Sequence, residues 1–220
     1  DRSPSRGLGD VYKRQEKKVR TRKSPEARAN EILDQAEAII ALEGGDALSF
    51  DRLSKAANVS KSLVYSYFDS ITELLRALLK REMKNLRERQ IEAAKDATTI
   101  EQLVRRVTHA YLIYIEQRGG LIYRIESEPS VALGGPTRYS RDASVKHLAS
   151  MMSEMFDLPE SIVVPAMDIS YGIPDAAGRY LADKAADRVV VEEITVTMLL
   201  ACIDAIRKSY DVKFRTIPTQ

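Results

Sequence analysis

The chain has 220 residues, a formal net charge of +2 and a single cysteine. That length suits one sizeable core, or a small domain joined to a larger one, and one cysteine excludes an internal disulfide. Charged residues interrupt every apolar segment before the run of about 20 residues that crosses a bilayer. We therefore expect a cytoplasmic protein with no membrane partner.

The charge is unevenly distributed along the chain. Residues 1–90 carry 19 Lys and Arg against 14 Asp and Glu, whereas residues 91–220 carry 15 against 18. Much of the excess lies in Tyr12 to Ser24, which is almost without apolar residues. We expect residues 1–23 to form a disordered basic arm, available to phosphates or serving only as a solubilising tail. Residues 1–15 show no periodicity and are interpreted as a non-native scar.

Apolar residues recur at spacings of three and four after Ser24, which predicts an all-α protein. The first helix begins at Ser24-Pro25-Glu26, where a hydroxyl cap precedes a proline and an acid, and it ends at Gly44-Gly45. Capping boxes at Ser70 to Glu73 and Thr98 to Glu101 predict a fourth helix to about Ala94 and a fifth to about Gln117. Further helices are expected at about residues 121–128, 140–156, 159–182 and 187–209, with a glycine and proline break at 133–136.

Between the first and fourth helices the sequence predicts a helix-turn-helix. A short second helix begins at Ser49, Asn58 can adopt the left-handed conformation that ends it, and Ser60 begins a third helix two residues later. Two short helices joined by so tight a turn must cross steeply.

The third helix has an unusual outward face. Val59, Val64 and Phe68 fall on the side that packs inward, which leaves a polar and aromatic set facing outward: Lys61, Ser62, Leu63, Tyr65 and Tyr67. Such a face suits a duplex groove, because cations and tyrosine hydroxyls bind phosphates, serine binds a base edge and leucine contacts a thymine methyl. The alternative is a helical core fragment with surface tyrosines.

The segment Ser49 to Leu79, SFDRLSKAANVSKSLVYSYFDSITELLRALL, resembles the DNA-binding region of TetR/AcrR-type transcriptional repressors. The resemblance covers residues 24 to about 80. It implies a three-helix DNA-binding domain over 24–70 and a helical regulatory and dimerisation domain over 71–215. It also implies a DNA-binding set in which Lys61, Ser62 and Leu63 lie nearest the bases while Ser49, Tyr65 and Tyr67 hold the backbone.

The segment departs from the family pattern at several positions. Asn58 stands where the family has a glycine, and Ser62 and Leu63 stand where glycine and threonine are common. Ile71 occupies the place of a phosphate-binding lysine. The operator therefore cannot be transferred from a relative.

The last helix is apolar on more of its circumference than one core requires. We expect the surplus, Val191, Val196, Leu199 and Ile203, to form a homodimer interface, and the resemblance implies a four-helix bundle across a two-fold axis. The alternative is a helix buried within a monomer.

Aromatic and methionine side chains at helical spacing are candidates for an effector pocket. They are Met83, Thr108, Tyr111, Ile115, Tyr123, Met151, Met152, Met155, Met167 and Tyr171. Tyrosine with methionine suits a pliable apolar cavity, so a small apolar effector is expected, although such stripes also occur as plain core.

The sequence contains no glycine-rich phosphate loop, no GxSxG and no Cys/His grouping, so we expect neither an enzyme nor a metal or other cofactor. His109 either polarises a ligand or is a satisfied core or surface histidine. The favoured interpretation is a homodimeric repressor that an apolar effector releases from a palindromic operator in double-stranded DNA. The alternative is a helical ligand carrier or partner-binding protein whose helix-turn-helix is not used for specific DNA binding.

Overall fold

The computed structural model describes residues 24–132, 146, 149–150, 152–154, 158–184 and 186–215. The predicted basic arm, the break at 133–136, Met151 and Met155 lie outside the described residues. Within these ranges the chain is all-helical, as predicted, with a helix-turn-helix domain followed by a larger helical region. The helices are α1 (Pro25–Glu43), α2 (Phe50–Ala56), α3 (Lys61–Tyr65), α4 (Ile71–Ala94), α5 (Ile100–Glu126), α6 (Pro129–Ala132), α7 (Glu160–Ser170), α8 (Gly172–Asp183) and α9 (Arg188–Arg215).

Local capping sets the first three helices. The hydroxyls of Ser24, Ser49 and Ser60 accept hydrogen bonds from the third backbone N–H of α1, α2 and α3. Asn58, between α2 and α3, has a φ of 50°, the left-handed conformation expected of it. A short polar side chain tolerates that conformation, and the chain can turn sharply there.

The beginning of α5 differs by one residue from the prediction. Thr99, not Thr98, caps the helix by accepting from the Gln102 N–H, and the Gln102 side chain accepts from the Thr98 N–H. Glutamine at the third helical position completes a capping box as glutamate does. The predicted box at Thr98 to Glu101 is thus displaced by one position.

The end of α5 also differs from the prediction, because the helix continues through Gly119 and Gly120 to Glu126. A Cβ added to Gly119 would lie 3.0 Å from Ile115 and 3.2 Å from Tyr123. Glycine here allows close packing rather than ending the helix. The separate helix expected at 121–128 is the last part of α5.

The C-terminal region contains two helices where one bent helix was expected. Pro165 lies inside α7, and α8 begins at Gly172 after the turn at Tyr171, whose φ of −60° and ψ of −24° keep the backbone helical. Residues 146, 149–150 and 152–154 are helical, within the helix expected at about 140–156. Helix α9 begins one residue later than expected and extends to Arg215.

A main core joins the helix-turn-helix to α4 and α5, and its most buried side chains include Ile32, Leu53, Val64, Leu78 and Leu112. A second cluster contains Ala149, Met152, Leu158 and Val163, with Met167 and Ile203 packed against it. No helix in the described ranges is long and apolar enough to cross a membrane.

Candidate nucleic-acid interface and effector cavity

The outward face of α3 is open to solvent. Lys61, Ser62 and Tyr65 are exposed, whereas Val64 is fully buried and Phe68 is 6% exposed. The inward and outward sides therefore fall as the helical periodicity predicts. A cation, a hydroxyl and a tyrosine ring face solvent side by side within one turn and a half of helix.

Two contacts hold this face in place. The Lys61 ammonium lies 3.0 Å from the Asp51 carboxylate on α2 and 6.0 Å from the centre of the Tyr65 ring. The Tyr65 ring meets Phe50 edge to face, with 4.6 Å between the ring centres. The hydrogen bond to Asp51 raises the pKa of Lys61, so its positive charge is secure at neutral pH. The exposed face is thus ordered by α2 without being covered by it.

Three members of the predicted DNA-binding set are placed differently from Lys61, Ser62 and Tyr65. Leu63 and Tyr67 are half-buried, and Tyr67 packs against the main core. The Ser49 hydroxyl caps α2 by accepting the Arg52 N–H at 3.2 Å, although its residue is exposed. A phosphate contact from Ser49 would have to share that hydroxyl with the helix cap.

A cavity of about 120 Å³ lies among α5, α7, α8 and α9 and reaches α4 at one residue. Five of the predicted pocket residues line it: Thr108, Tyr111, Met152, Met167 and Tyr171. Leu103, Val107, Leu158 and Val163 add apolar wall, and the polar wall residues Gln90, Ser170 and Arg207 were not predicted. Polar residues on a periodic helix are normally read as solvent-facing, so the sequence offered no signal for them.

Burial raises the pKa of the Tyr111 hydroxyl well above its ordinary value of 10. Desolvation disfavours the phenolate, and nearby Tyr171 and Tyr123 add to the effect. Tyr111 therefore presents a neutral hydroxyl in the cavity wall. It can donate a hydrogen bond but supplies no charge.

Met83, Ile115 and Tyr123 do not line this cavity. Ile115 is 4% exposed, and Met83 and Tyr123 pack against the main core. Ile115 and Tyr123 lie close to Gly178 on α8, where an added Cβ would meet them at 3.0 and 2.9 Å. These side chains pack α5 against α8, so their helical spacing reflects core packing.

The predicted interface residues on α9 also occupy inward positions. Val196 is 1% exposed, and Leu199 and Ile203 line the cavity. Val191 is half-buried. The apolar residues of α9 that face solvent are instead Val189, Val190, Ile194 and Met198, at 49–65% exposure.

Side-chain contacts hold α9 against α5. A Glu192 carboxylate oxygen lies 2.9 Å from Nδ1 of His109, and Glu193 forms a two-contact pair with Arg105 at 2.7 and 3.1 Å. The hydrogen bond from Arg105 lowers the pKa of Glu193. The two glutamates connect the helices, and His109 is a surface histidine, 51% exposed, that lies outside the cavity wall.

A buried carboxylate lies where the helix-turn-helix meets the larger region. Glu82 on α4 is 1% exposed and accepts from Arg118 on α5 at 2.8 and 2.9 Å and from the Tyr114 hydroxyl at 2.8 Å. Arg118 also pairs with Glu37 on α1. We call these four residues the junction network. It connects α1, the first helix of the helix-turn-helix domain, to both α4 and α5.

Among the described residues, no three His, Cys, Asp or Glu side chains form a group that could hold a metal ion.

Residues 32–78 match the family model described as bacterial regulatory proteins, tetR family. This match lies within residues 24 to about 80, which the sequence resemblance covers. No protein with a curated description is similar enough in sequence to add to it.

Solved structures with the same fold are also tetR-family regulators. A tetR-family transcriptional regulator from Streptomyces coelicolor has a TM-score of 0.68 at 20% identity, over 87% of this chain and 86% of that one. The fatty acid degradation regulator FadR from Bacillus halodurans has a TM-score of 0.59 at 17% identity, over 82% and 97%. LfrR from Mycobacterium smegmatis, in complex with proflavine, has a TM-score of 0.54 at 21% identity, over 80% and 96%. The described chain therefore has the fold of tetR-family transcriptional regulators, and its N-terminal segment carries that family's sequence pattern.

Proposed function

We propose that this chain, which joins a tetR-family N-terminal segment to the fold of tetR-family transcriptional regulators, is a cytoplasmic one-component repressor. It binds a palindromic operator as a homodimer and leaves the operator when a small, mainly apolar effector enters the cavity. It is not an enzyme and uses no cofactor.

The outward face of α3 is the observation that carries this proposal. Lys61, Ser62 and Tyr65 are exposed on a short helix that α2 orders through Asp51 and Phe50. A cation and hydroxyls displayed on a fixed helix match the phosphates and base edges of the major groove. Leu63, half-buried beside them, is suited to an apolar contact with a thymine methyl.

Homodimerisation follows from the demands of specific binding. A single short recognition helix makes few contacts, so such proteins read two half-sites separated by one turn of the duplex, about 34 Å. The exposed apolar residues of α9, together with Tyr180 on α8 at 53% exposure, are the surface that we assign to the partner subunit. Two helices from each subunit would form a four-helix bundle. The residues at its centre are Val189, Val190, Ile194 and Met198, in place of Val196, Leu199 and Ile203.

The cavity supports the effector part of the proposal. Its walls are largely apolar, with Thr108, Tyr111 and Tyr171 as hydroxyl-bearing exceptions. LfrR, which shares the fold, has a structure in complex with proflavine. A bound molecule that favours one arrangement of α4 changes the affinity for DNA, and DNA changes the affinity for the molecule by the same factor.

Selection of bound sequences from random duplex DNA tests the proposal, because it needs no prior operator. The selected sequences should be inverted repeats whose half-site centres lie about 34 Å apart. Replacing Lys61 by Met should weaken binding to the selected sequences. The slope of log affinity against log salt concentration should also become shallower by about one for each recognition helix.

Lys95→Met provides the matched control. Lys95 is an exposed lysine at the other end of α4, paired with Glu92, and its loss should leave DNA affinity and salt dependence unchanged. Absence of any enriched sequence, together with effector binding by the intact protein, would contradict the proposal and favour the ligand-carrier alternative.

A further inference from the structure

The cavity is small for a site that binds a whole drug-sized molecule. Its volume is about 120 Å³, whereas such ligand pockets measure roughly 300–1,000 Å³. An apolar cavity of about 150 Å³ is filled by one benzene ring. The space among α5, α7, α8 and α9 therefore accommodates an apolar group of roughly five or six carbon atoms.

Arg207 on α9 is the charged member of the cavity wall. It is an exposed residue, whereas the adjacent Lys208 pairs with Asp204 at 2.6 Å. The Arg207 guanidinium therefore supplies a positive charge at the edge of an apolar space.

Two neutral polar groups accompany Arg207 in the wall. Thr108 is 3% exposed, and Gln90 is half-buried. The Thr108 hydroxyl and the Gln90 amide give the wall hydrogen-bond donors beside its apolar surface. A ligand that supplies hydrogen-bond acceptors can use both.

Gln90 has a second significance because it lies on α4, the helix that follows the helix-turn-helix. Arg207 and Gln90 therefore bring a helix of the regulatory region and the helix leading to the DNA-binding domain to the same cavity. A carboxylate has two oxygens and accepts from several donors at once, which an alcohol or a hydrocarbon does not.

We propose that the effector is a small amphiphilic monocarboxylate, with an apolar group of roughly five or six carbons in the cavity and its carboxylate on Arg207. Gln90 donates to the same headgroup and thereby links the ligand to α4. This inference rests on the proposed function in that it names the chemical class of the effector, but its test requires no DNA.

Hexanoate and hexanamide are the probes, and calorimetric titration of the intact protein is the measurement. The two molecules share an apolar tail and differ in the charge of the headgroup. Hexanoate should bind the unmodified chain at least tenfold more tightly than hexanamide, because a hydrogen bond to a charged group is worth more than a neutral one. Affinity along a series of longer carboxylates should stop rising once the tail exceeds the cavity.

Arg207→Met should lower hexanoate affinity about tenfold and leave hexanamide affinity unchanged. Lys208→Met removes the same charge one residue away and should have no effect on either probe. Gln90→Leu should weaken hexanoate binding less than Arg207→Met does. The Gln90 amide is an uncharged donor, and it forms a weaker hydrogen bond to a carboxylate than a guanidinium does.

Equal binding of hexanoate and hexanamide, or equal hexanoate binding by the Arg207→Met and Lys208→Met variants, would overturn the carboxylate proposal and leave the apolar-effector repressor intact. Hexanoate binding that depends on Arg207, in a protein that enriches no DNA sequence, would instead retain the carboxylate site and overturn the repressor.

Discussion

Helix α5 meets two regions of contrasting character. Beside α1 and α4 it contributes Arg118 and Tyr114 to the junction network, in which a buried charge is fully paired. Beside α7 and α9 it contributes Leu103, Val107 and Thr108 to the wall of an apolar cavity. The side of α5 that meets α1 and α4 is tightly packed with its buried charge paired, whereas the side that meets α7 and α9 borders an open, mainly apolar space.

The contrast indicates which region can adapt to a ligand. Separating α1, α4 and α5 would leave the Glu82 carboxylate buried without its counter-ion, which is strongly unfavourable. Changing the space among α5, α7 and α9 alters apolar packing and exposed side-chain pairs such as Arg105 with Glu193, which contribute less than a buried pair. We interpret the junction network as the fixed connection to the DNA-binding domain and the cavity as the adaptable part. Movement caused by a ligand should then reach the helix-turn-helix through α4 with the junction intact.

Breaking the junction network should have the largest effect. Arg118→Met removes the counter-ion of Glu82, whose side chain is 1% exposed, and should lower the free energy of unfolding by about 3 kcal/mol. Chemical denaturation at a fixed protein concentration measures this, since the stability of a protein that dimerises depends on its concentration.

Lys84→Met is the matched control for Arg118→Met. Lys84 forms an exposed pair with Glu88 on the same helix as Glu82, with 3.8 Å between the charged atoms. Its loss should cost less than about 0.5 kcal/mol. If the two variants lose similar stability, the buried network is not the fixed element.

Filling the cavity should have a smaller effect on stability and a large one on binding. Ala166 on α7 lines the cavity, and Ala166→Leu places three further carbon atoms in that space. Stability should stay constant or rise by about 1 kcal/mol, while hexanoate affinity falls at least tenfold because the apolar group is excluded. Thermal denaturation and calorimetric titration measure the two quantities.

Ala27→Leu makes the same substitution at an exposed position of α1 and should leave hexanoate binding unchanged. A leucine at 166 that leaves hexanoate affinity unaltered would show that the tail binds elsewhere.

The two regions also differ in how far the sequence predicted them. Caps such as Ser24 and Ser70 depend on three or four neighbouring residues, so their helices began where expected. The continuation of α5 through Gly119 accompanies the packing of Ile115 and Tyr123 against Gly178 of α8, and that contact joins distant parts of the chain.

The candidate sites follow the same distinction between local and tertiary information. The exposed face of α3 follows from periodicity within one short segment, and Lys61, Ser62 and Tyr65 lie as predicted. Cavity walls collect residues from distant parts of the chain, so Arg207 could not be assigned from its own helix. Leu199 and Ile203, predicted at an interface, also line the cavity, and an apolar helix face does not reveal from sequence which of the two it borders.

The smallest expected effect is a difference in the pH dependence of two glutamates. The Arg118 hydrogen bond lowers the pKa of Glu37 in the junction network, whereas burial raises the pKa of Glu126, near the other end of α5. A glutamate whose pKa is lowered in the folded protein stabilises the fold at pH values above the ordinary glutamate pKa of 4.5. That stabilisation is lost as the pH falls through the folded-state pKa. A glutamate whose pKa is raised in the folded protein has the opposite effect on stability. Its contribution to stability is present in acid and is lost as the pH rises above 4.5.

Glu37→Gln should therefore destabilise the protein at neutral pH and make its acid transition shallower, whereas Glu126→Gln should improve stability at neutral pH relative to acid. Denaturant titrations at neutral pH and below pH 4.5 compare each variant with the unmodified chain. No loss of stability at neutral pH in Glu37→Gln would mean that the charge at Glu37 is not stabilised by its partners, and a loss in Glu126→Gln would mean that burial does not dominate at Glu126. A loss of stability in Glu37→Gln together with a gain in Glu126→Gln would place the electrostatic stabilisation at the junction network. That is where a fixed connection to the helix-turn-helix needs it.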